Sequence, residues 1–307
     1  MAHPLRSILF GGLIVATVAI SGWYIWTNMT DTQHVATVQT AVHGAGPATE
    51  TPQAAAADKK YDYSFKNKKM FVTYDKGTQW QQVPAEMEEF FGGEYETAAQ
   101  NQLLANSFKI TPEKTGFLIV KSDTTLSWLE STDAGKKWQE YPILSPTAGV
   151  RFRKIQFFDN GFVAVFASGG RVMSQEGCSV AVSHDNGHTW QKMAADGLEL
   201  GPLVTAATFV DENQAFVSRK TQLLVSKDGG QHFSEAKLNV PEQYEKIFLW
   251  PEAPTKEADG TLSVLVNQGD LGDYRGGQVK GRFESKDGGY TFDFVAEVEQ
   301  QMEVVPG

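Results

Sequence analysis

The sequence predicts an all-β chain, a propeller of four-stranded antiparallel blades, behind a single N-terminal membrane-spanning helix. Three observations predict it. An eight-residue pattern recurs five times, short apolar strand-like stretches flank its copies, and an uncharged apolar segment stands near the start of the chain.

The pattern is Ser/Thr-x-Asp-x-Gly-x-x-Trp/Phe. Its copies begin at Thr73, Ser131, Ser183, Ser226 and Ser285. The fixed positions are Asp75, Gly77 and Trp80; Asp133, Gly135 and Trp138; Asp185, Gly187 and Trp190; Asp228, Gly230 and Phe233; Asp287, Gly289 and Phe292. The aspartates are spaced by 58, 52, 43 and 59 residues, the length of one supersecondary unit each. A short apolar stretch precedes each copy, such as Val180-Ala181-Val182, and another follows, such as Trp190 to Met193. That arrangement is a β-hairpin with the pattern as its turn. Asp and Ser/Thr side chains accept hydrogen bonds from turn amides. The fixed Gly supplies a positive φ. The closing aromatic brings a large apolar area to bury between sheets.

These residues resemble the Asp-box (BNR) repeat of sialidases, other secreted glycosidases, sorting receptors and propellers of the photosystem II assembly-factor type. The resemblance covers about Tyr61 to Gly307. It implies that each box joins the third and fourth strands of a blade, away from the ligand face. The five aspartates are then turn formers rather than catalysts. A calcium loop does not fit, because alternating oxygen ligands and a closing Glu are absent.

The units read outward from each box. The third runs through Val150–Phe158, Phe162–Ala167, Cys178–Ser183 and Trp190–Met193, and the fourth and fifth follow the same plan. The first is short, and Met302 to Val305 could supply its innermost strand, closing five blades by pairing the chain ends. A sixth blade requires hidden strands in 85–110, where Glu86–Phe91 and Glu96–Asn106 read as a helical insertion instead.

The organisation is therefore 1–29 as a signal-anchor segment, 30–58 as a flexible Ala/Thr/Pro-rich linker, and 59–307 as the repeat domain. Ile8 to Trp26 is 19 residues without a charge, long enough to span a bilayer core. Arg6 precedes it and no Lys or Arg follows before Lys59. The positive-inside bias then places the N-terminus in the cytoplasm and the repeat domain outside. A cleaved signal peptide, with the small residues Ala19 and Ser21 before a possible cut, is the competing reading. A lone cysteine, Cys178, excludes an intrachain disulfide, and an exported chain of that kind fits a Gram-positive surface. Net charge is −10, all of it on the residues after Lys60, which argues against a nucleic-acid partner.

Ligands in propellers meet the face opposite the boxes. On that face 267–280 is the most irregular stretch, with Asp270, Asp273, Tyr274 and Arg275 among glycines. Arg171 and Arg219 fall in the equivalent loops of neighbouring blades, and three arginines on one face would suit an anionic ligand. The resemblance to sialidases implies an Arg-Ile-Pro motif ahead of the first box, an arginine triad, a Tyr nucleophile with a Glu partner and an Asp acid/base. Arg-Ile-Pro is absent, and no Arg lies between Arg6 and Arg151. The expected function is a non-catalytic, membrane-anchored module binding an extracellular protein, peptide or glycan; the alternative is a sialidase-like hydrolase. No cofactor and no metal are expected: His184, His188 and His232 occupy variable box positions, read as facing solvent, and no His/Cys cluster has zinc spacing.

Overall fold

The computed structural model describes residues 59–93, 102–122, 124–147, 149–270 and 272–299. The expected membrane span at 8–26, the linker and the closing strand at 302–305 lie outside the described residues. Among the described residues no helix is long and apolar enough to cross a membrane.

The described chain is all-β and forms five sheets in sequence order, consistent with a β-propeller. The first sheet holds three strands, β1 (Asp62–Lys66), β2 (Lys69–Thr73) and β3 (Gln81–Glu86). A one-turn helix, α1 (Met87–Phe90), follows it. The second sheet holds β4 (Phe108–Ile110), β5 (Thr115–Val120), β6 (Leu126–Ser131) and β7 (Gln139–Leu144). The third runs through β8 (Phe152–Phe157), β9 (Val163–Val172), β10 (Gln175–Ser183) and β11 (Gln191–Lys192), with β12 (Gly201–Pro202) also on β10. The fourth is β13 (Val204–Asp211), β14 (Gln214–Arg219), β15 (Gln222–Ser226) and β16 (Ser234–Glu235). The fifth contains β17 (Lys237–Asn239), β18 (Phe248–Pro251), β19 (Thr255–Lys256), β20 (Leu262–Gln268), β21 (Val279–Ser285) and β22 (Thr291–Glu299).

Three details depart from the sequence reading. β17 pairs in parallel with β22, so the fifth sheet is not purely antiparallel. The chain leaving the fourth sheet laces onto the outer edge of the fifth. The stretch 168–177, read as a loop, is mostly strand: β9 and β10 continue as a hairpin to Val172 and Gln175. Of the predicted helical insertion only α1 is helical among the described residues, and 102–106 is not.

Four apolar clusters join consecutive sheets, the first to the second and so on to the fifth. The alternation of strand side chains explains how one sheet serves two clusters. On β14, Ala215 and Val217 face the third sheet while Phe216 faces the fifth. On β9, Val163, Val165 and Ala167 face the second sheet while Ala164 and Phe166 face the fourth. Strands buried on both faces read as continuous apolar runs, as β9 does. Gly116 on β5 makes room for the Trp128 indole: a Cβ there would lie 2.2 Å from the ring.

The five octapeptides are the hairpin turns. In each, the Ser/Thr Oγ accepts the amide hydrogen of the fixed Gly, at 2.9 Å in four copies and 2.8 Å at Ser285. The same hydroxyl donates to the Asp Oδ1 at 2.7–3.0 Å. Oδ1 in turn accepts an amide hydrogen four residues on, for example from Thr189 at 2.8 Å. Trp138 and Trp190 close the loop by donating Nε1–H to the carbonyls of Gly135 and Gly187 at 3.0 and 2.8 Å.

Candidate functional site

In every sheet that holds four or more strands, the box turn and the turn before it lie at one end of the blade. Asn186 N–H donates to the Gly161 carbonyl at 2.9 Å and Gly229 N–H to the Asn213 carbonyl at 2.8 Å, tying those turns together. The hairpin tips between second and third strands and the links between sheets are at the other end. That end carries the residues singled out for binding.

β20 and β21 place the centre of it. β20 runs to Gln268 and β21 resumes at Val279, with a 3-10 turn over Tyr274–Gly277 between them. Arg275, Gly276 and Gly277 all have positive φ (48°, 70° and 74°), which turns the chain back toward β22. The turn is braced from below by Gln268, whose Nε2 donates to the carbonyls of Tyr274 and Val279, both at 2.9 Å.

Tyr274 and Arg275 converge on a residue the sequence reading passed over, Glu297 of β22. The Tyr274 hydroxyl donates to Glu297 Oε1 at 2.8 Å, and the Tyr244 hydroxyl donates to the same oxygen at 2.7 Å. Arg275 Nη1 lies 2.8 Å from Oε2. Its guanidinium also stands over the Tyr274 ring, 5.6 Å from the centroid, within range of a cation–π contact. Hydrogen bonds from Tyr244 and Tyr274, with the Arg275 charge, hold the Glu297 carboxyl below its usual range. The reverse holds for Tyr274: its bond to Glu297 pushes the phenol above its ordinary value.

Asp270 and Asp273 lie on the other side of the turn. They line a cavity of about 300 Å³ with Lys246, Gln268 and Tyr274. Among the described residues neither carboxylate has an ion-pair partner.

The arginines do not converge. Arg219 is the last residue of β14, not a loop residue, and it is buried, 4% exposed. Its Nη2 donates to the carbonyls of Leu198 and Glu199 at 2.7 and 2.8 Å, in the link between the third and fourth sheets. Burial lowers its pKa below the usual arginine value. Arg171 stands exposed on β9 near the hairpin tip. Arg275 is engaged with Glu297 in the fifth sheet. An anion clamp of these three is therefore not what the fold builds.

Two further arginines are structural. Arg153 is fully buried, donating to the Val150 carbonyl at 3.0 Å and to the Gly92 carbonyl beyond α1. Arg151 pairs with the fully buried Glu176 through Nε at 2.9 Å and also through Nη2. Cys178 is buried beside this pair, and burial pushes its thiol up to about 12, the behaviour of a small apolar residue rather than of a nucleophile. The box histidines are less free than expected of solvent-facing positions. His188 packs on Tyr141 and reaches Glu130 at 3.4 Å, and His232 Nδ1 contacts Asp228 at 2.6 Å. Among the described residues no group of three or more His, Cys, Asp or Glu could hold a metal ion.

No protein-family model matches the chain, and no curated protein matches it. Solved structures do. YCF48 bound to D1 peptide is similar at 15% identity over 82% of this chain and 84% of that one, with a TM-score of 0.41. YCF48 from Cyanidioschyzon merolae is similar at 12% identity, over 79% and 69% of the two chains, with a TM-score of 0.42. The GH74 xyloglucanase from Xanthomonas campestris is similar at 12% identity over 78% of this chain and 44% of that one, with a TM-score of 0.40. At such identities and TM-scores the likeness says nothing of what this chain binds or does.

Proposed function

We propose that the chain is a membrane-anchored, extracytoplasmic propeller that binds a protein or peptide ligand without catalysis, on the face opposite the box turns. In this reading 8–26 is the anchor, 30–58 the tether and 59–307 an Asp-box domain of five blades held outside a bacterial cell. The observation that carries it is the state of the arginines. Arg219 is spent on two backbone carbonyls and Arg275 on Glu297, so a sialic acid carboxylate has no arginine triad to meet. Function rests on the site and not on the fold.

One observation favours the hydrolase alternative. Tyr274 donates to Glu297 at 2.8 Å, the pairing a tyrosine nucleophile with a glutamate partner requires. An activated nucleophile has its pKa lowered or a base positioned to take its proton. Here the phenol is raised, and the carboxylate is shared with Tyr244 and Arg275. Two measurements on the full-length chain decide the matter. Protease added to intact cells should digest the propeller, and a fluorogenic sialoside should not be turned over. Turnover that disappears in Tyr274→Phe would sink the binding reading, and a propeller protected until the cells are lysed would sink the topology.

A further inference from the structure

We infer that Met173 is a modification site, oxidised to methionine sulfoxide by hydroperoxides while the chain stays folded. Met173 lies on the end that the proposal above gives to the ligand, but its exposure and its chemistry do not depend on that proposal.

Val172 pairs with Gln175, so Met173 is the first of the two residues that turn β9 into β10. Its φ is 59°, at a position where two-residue hairpins favour Gly, Asn or Asp. A methionine stands there against the local preference, and it is 92% exposed. Val172 beside it is exposed too, as is Leu200, two residues before the β12 partner of Gln175. The tip is therefore apolar. The other described methionines are withdrawn: Met70 is 0% and Met193 7% exposed, and Met87 is partly covered. Cys178, on the same hairpin, is buried with its thiol pushed up to about 12, and a thiol is a nucleophile only as its thiolate. A thioether needs no ionisation. On this hairpin the thioether and not the thiol is the reactive sulfur. A lone pair of Met173 Sδ attacks the terminal oxygen of the hydroperoxide; an S–O bond forms and the O–O bond breaks. The sulfur is oxidised by two electrons and the peroxide is reduced. The proton of the attacked oxygen passes to the leaving one, which departs as water or an alcohol. The sulfoxide makes a flexible apolar side chain polar, and sulfoxide reductases can reverse it. At so exposed a position this changes the tip and leaves the core alone.

The test is a time course of the full-length chain in hydrogen peroxide, quenched at intervals and mapped by peptide mass spectrometry. Met173 should gain oxygen at the rate of free N-acetyl-methionine amide. Met70 and Met193 should lag by about tenfold or more, because they react only when the fold opens. In urea beyond the unfolding midpoint that lag should vanish. Cys178 should stay reduced while Met173 reacts. With Met173 oxidised and Met70 and Met193 still reduced, the urea midpoint should be unchanged. Met173→Leu should keep the same midpoint and remove the early gain of oxygen from that stretch of chain. Met173 reacting no faster than Met193, oxygen gained first on Cys178, an early gain that persists in Met173→Leu, or a lower midpoint after oxidation of Met173 overturns the assignment. Sialoside turnover and protease access decide the function proposed above, so the two can fail independently.

Discussion

Arg151 and Glu176 form a buried ion pair that joins the start of β8 to the start of β10. Glu176 Oε1 also accepts the Val204 amide hydrogen at 2.8 Å, and Arg151 Nη2 donates to the Val204 carbonyl at 2.6 Å. The pair therefore rivets the third sheet to the fourth. Burial by itself would raise the Glu176 pKa, yet the contacts with Arg151 and the Val204 amide, among others, together outweigh it and the carboxyl stays below its usual range. Breaking such a pair from one side strands the other charge, at a cost of about 3–5 kcal/mol. Arg151→Met should lower stability by that order in urea titration. The double variant Arg151→Met/Glu176→Met should regain much of the loss, because no charge is left unpaired. A double variant as unstable as the sum of the two singles would refute the rivet.

The box turns carry a second left-handed residue that the repeat pattern leaves variable. The position before the fixed Gly has φ of 58° at Lys76, 56° at Ala134 and 63° at Asn186, and is Gly229 and Gly288 in the last two copies. Non-glycine residues pay about 1 kcal/mol or more in that region, and Asn pays least. Ala134→Gly should therefore stabilise by about 0.5 kcal/mol once the added freedom of the unfolded chain is deducted. Asn186→Gly should gain less. Gly187→Ala should destabilise by about 1–2 kcal/mol, since its φ is 94°. Thermal unfolding of the three variants checks the ranking.

What was legible in the sequence follows from how local the physics is. The box turns involve atoms within four residues of one another, so residue types and spacing suffice to place them. Strands buried on both faces announce themselves as apolar runs, and β15 falls at the expected Gln222–Ser226. Long polar side chains find partners far along the chain, and those were not legible. Arg219 reaches Leu198 and Arg153 reaches Gly92, 61 residues away. Glu297 is one of several acidic residues on a strand of ordinary alternation, with Asp293 and Glu299 beside it. Nothing in its neighbours along the chain marks it as the meeting point of Tyr244, Tyr274 and Arg275. The parallel strand β17 was hidden for the same reason, being three residues whose pairing depends only on where β22 lies.

The closing aromatic of the box does different work in different copies. Trp190 packs against the cluster between the second and third sheets and donates Nε1–H to Gly187. Trp190→Phe should keep the packing and lose the hydrogen bond, costing about 1 kcal/mol. Trp80 is 41% exposed, and its indole makes no hydrogen bond among the described residues. Trp80→Phe should change stability by less than about 0.5 kcal/mol. Phe233 and Phe292 already serve in the last two copies without an indole. Equal losses at 80 and 190 would show that the indole bond contributes nothing.

The box aspartates also set a pH window for stability. Amide hydrogens hold each of them below the ordinary value of 3.8: that of Gln79 for Asp75, Lys137 for Asp133, Thr189 for Asp185 and Thr291 for Asp287. For Asp228 burial works the other way, but the His232 amide and ring hold it down to about 2. A depressed carboxyl contributes stability that is present above its unfolded value and lost as pH falls through the folded one. Stability should therefore be full above about pH 4 and drop as pH falls toward about 2. His232 acts in the opposite sense. Its bond to Asp228 raises its pKa above 6.5, so its contribution is complete below pH 6.5 and fades as pH rises through the shifted value. Urea midpoints measured across pH should show both limbs. Asp185→Asn should flatten only the acid limb, whereas His232→Asn should remove the alkaline limb and also weaken the acid one, because its ring helps to hold Asp228 down. An acid limb unchanged by Asp185→Asn, with the turn otherwise intact, would mean that Asp185 takes no part in the stability loss at low pH.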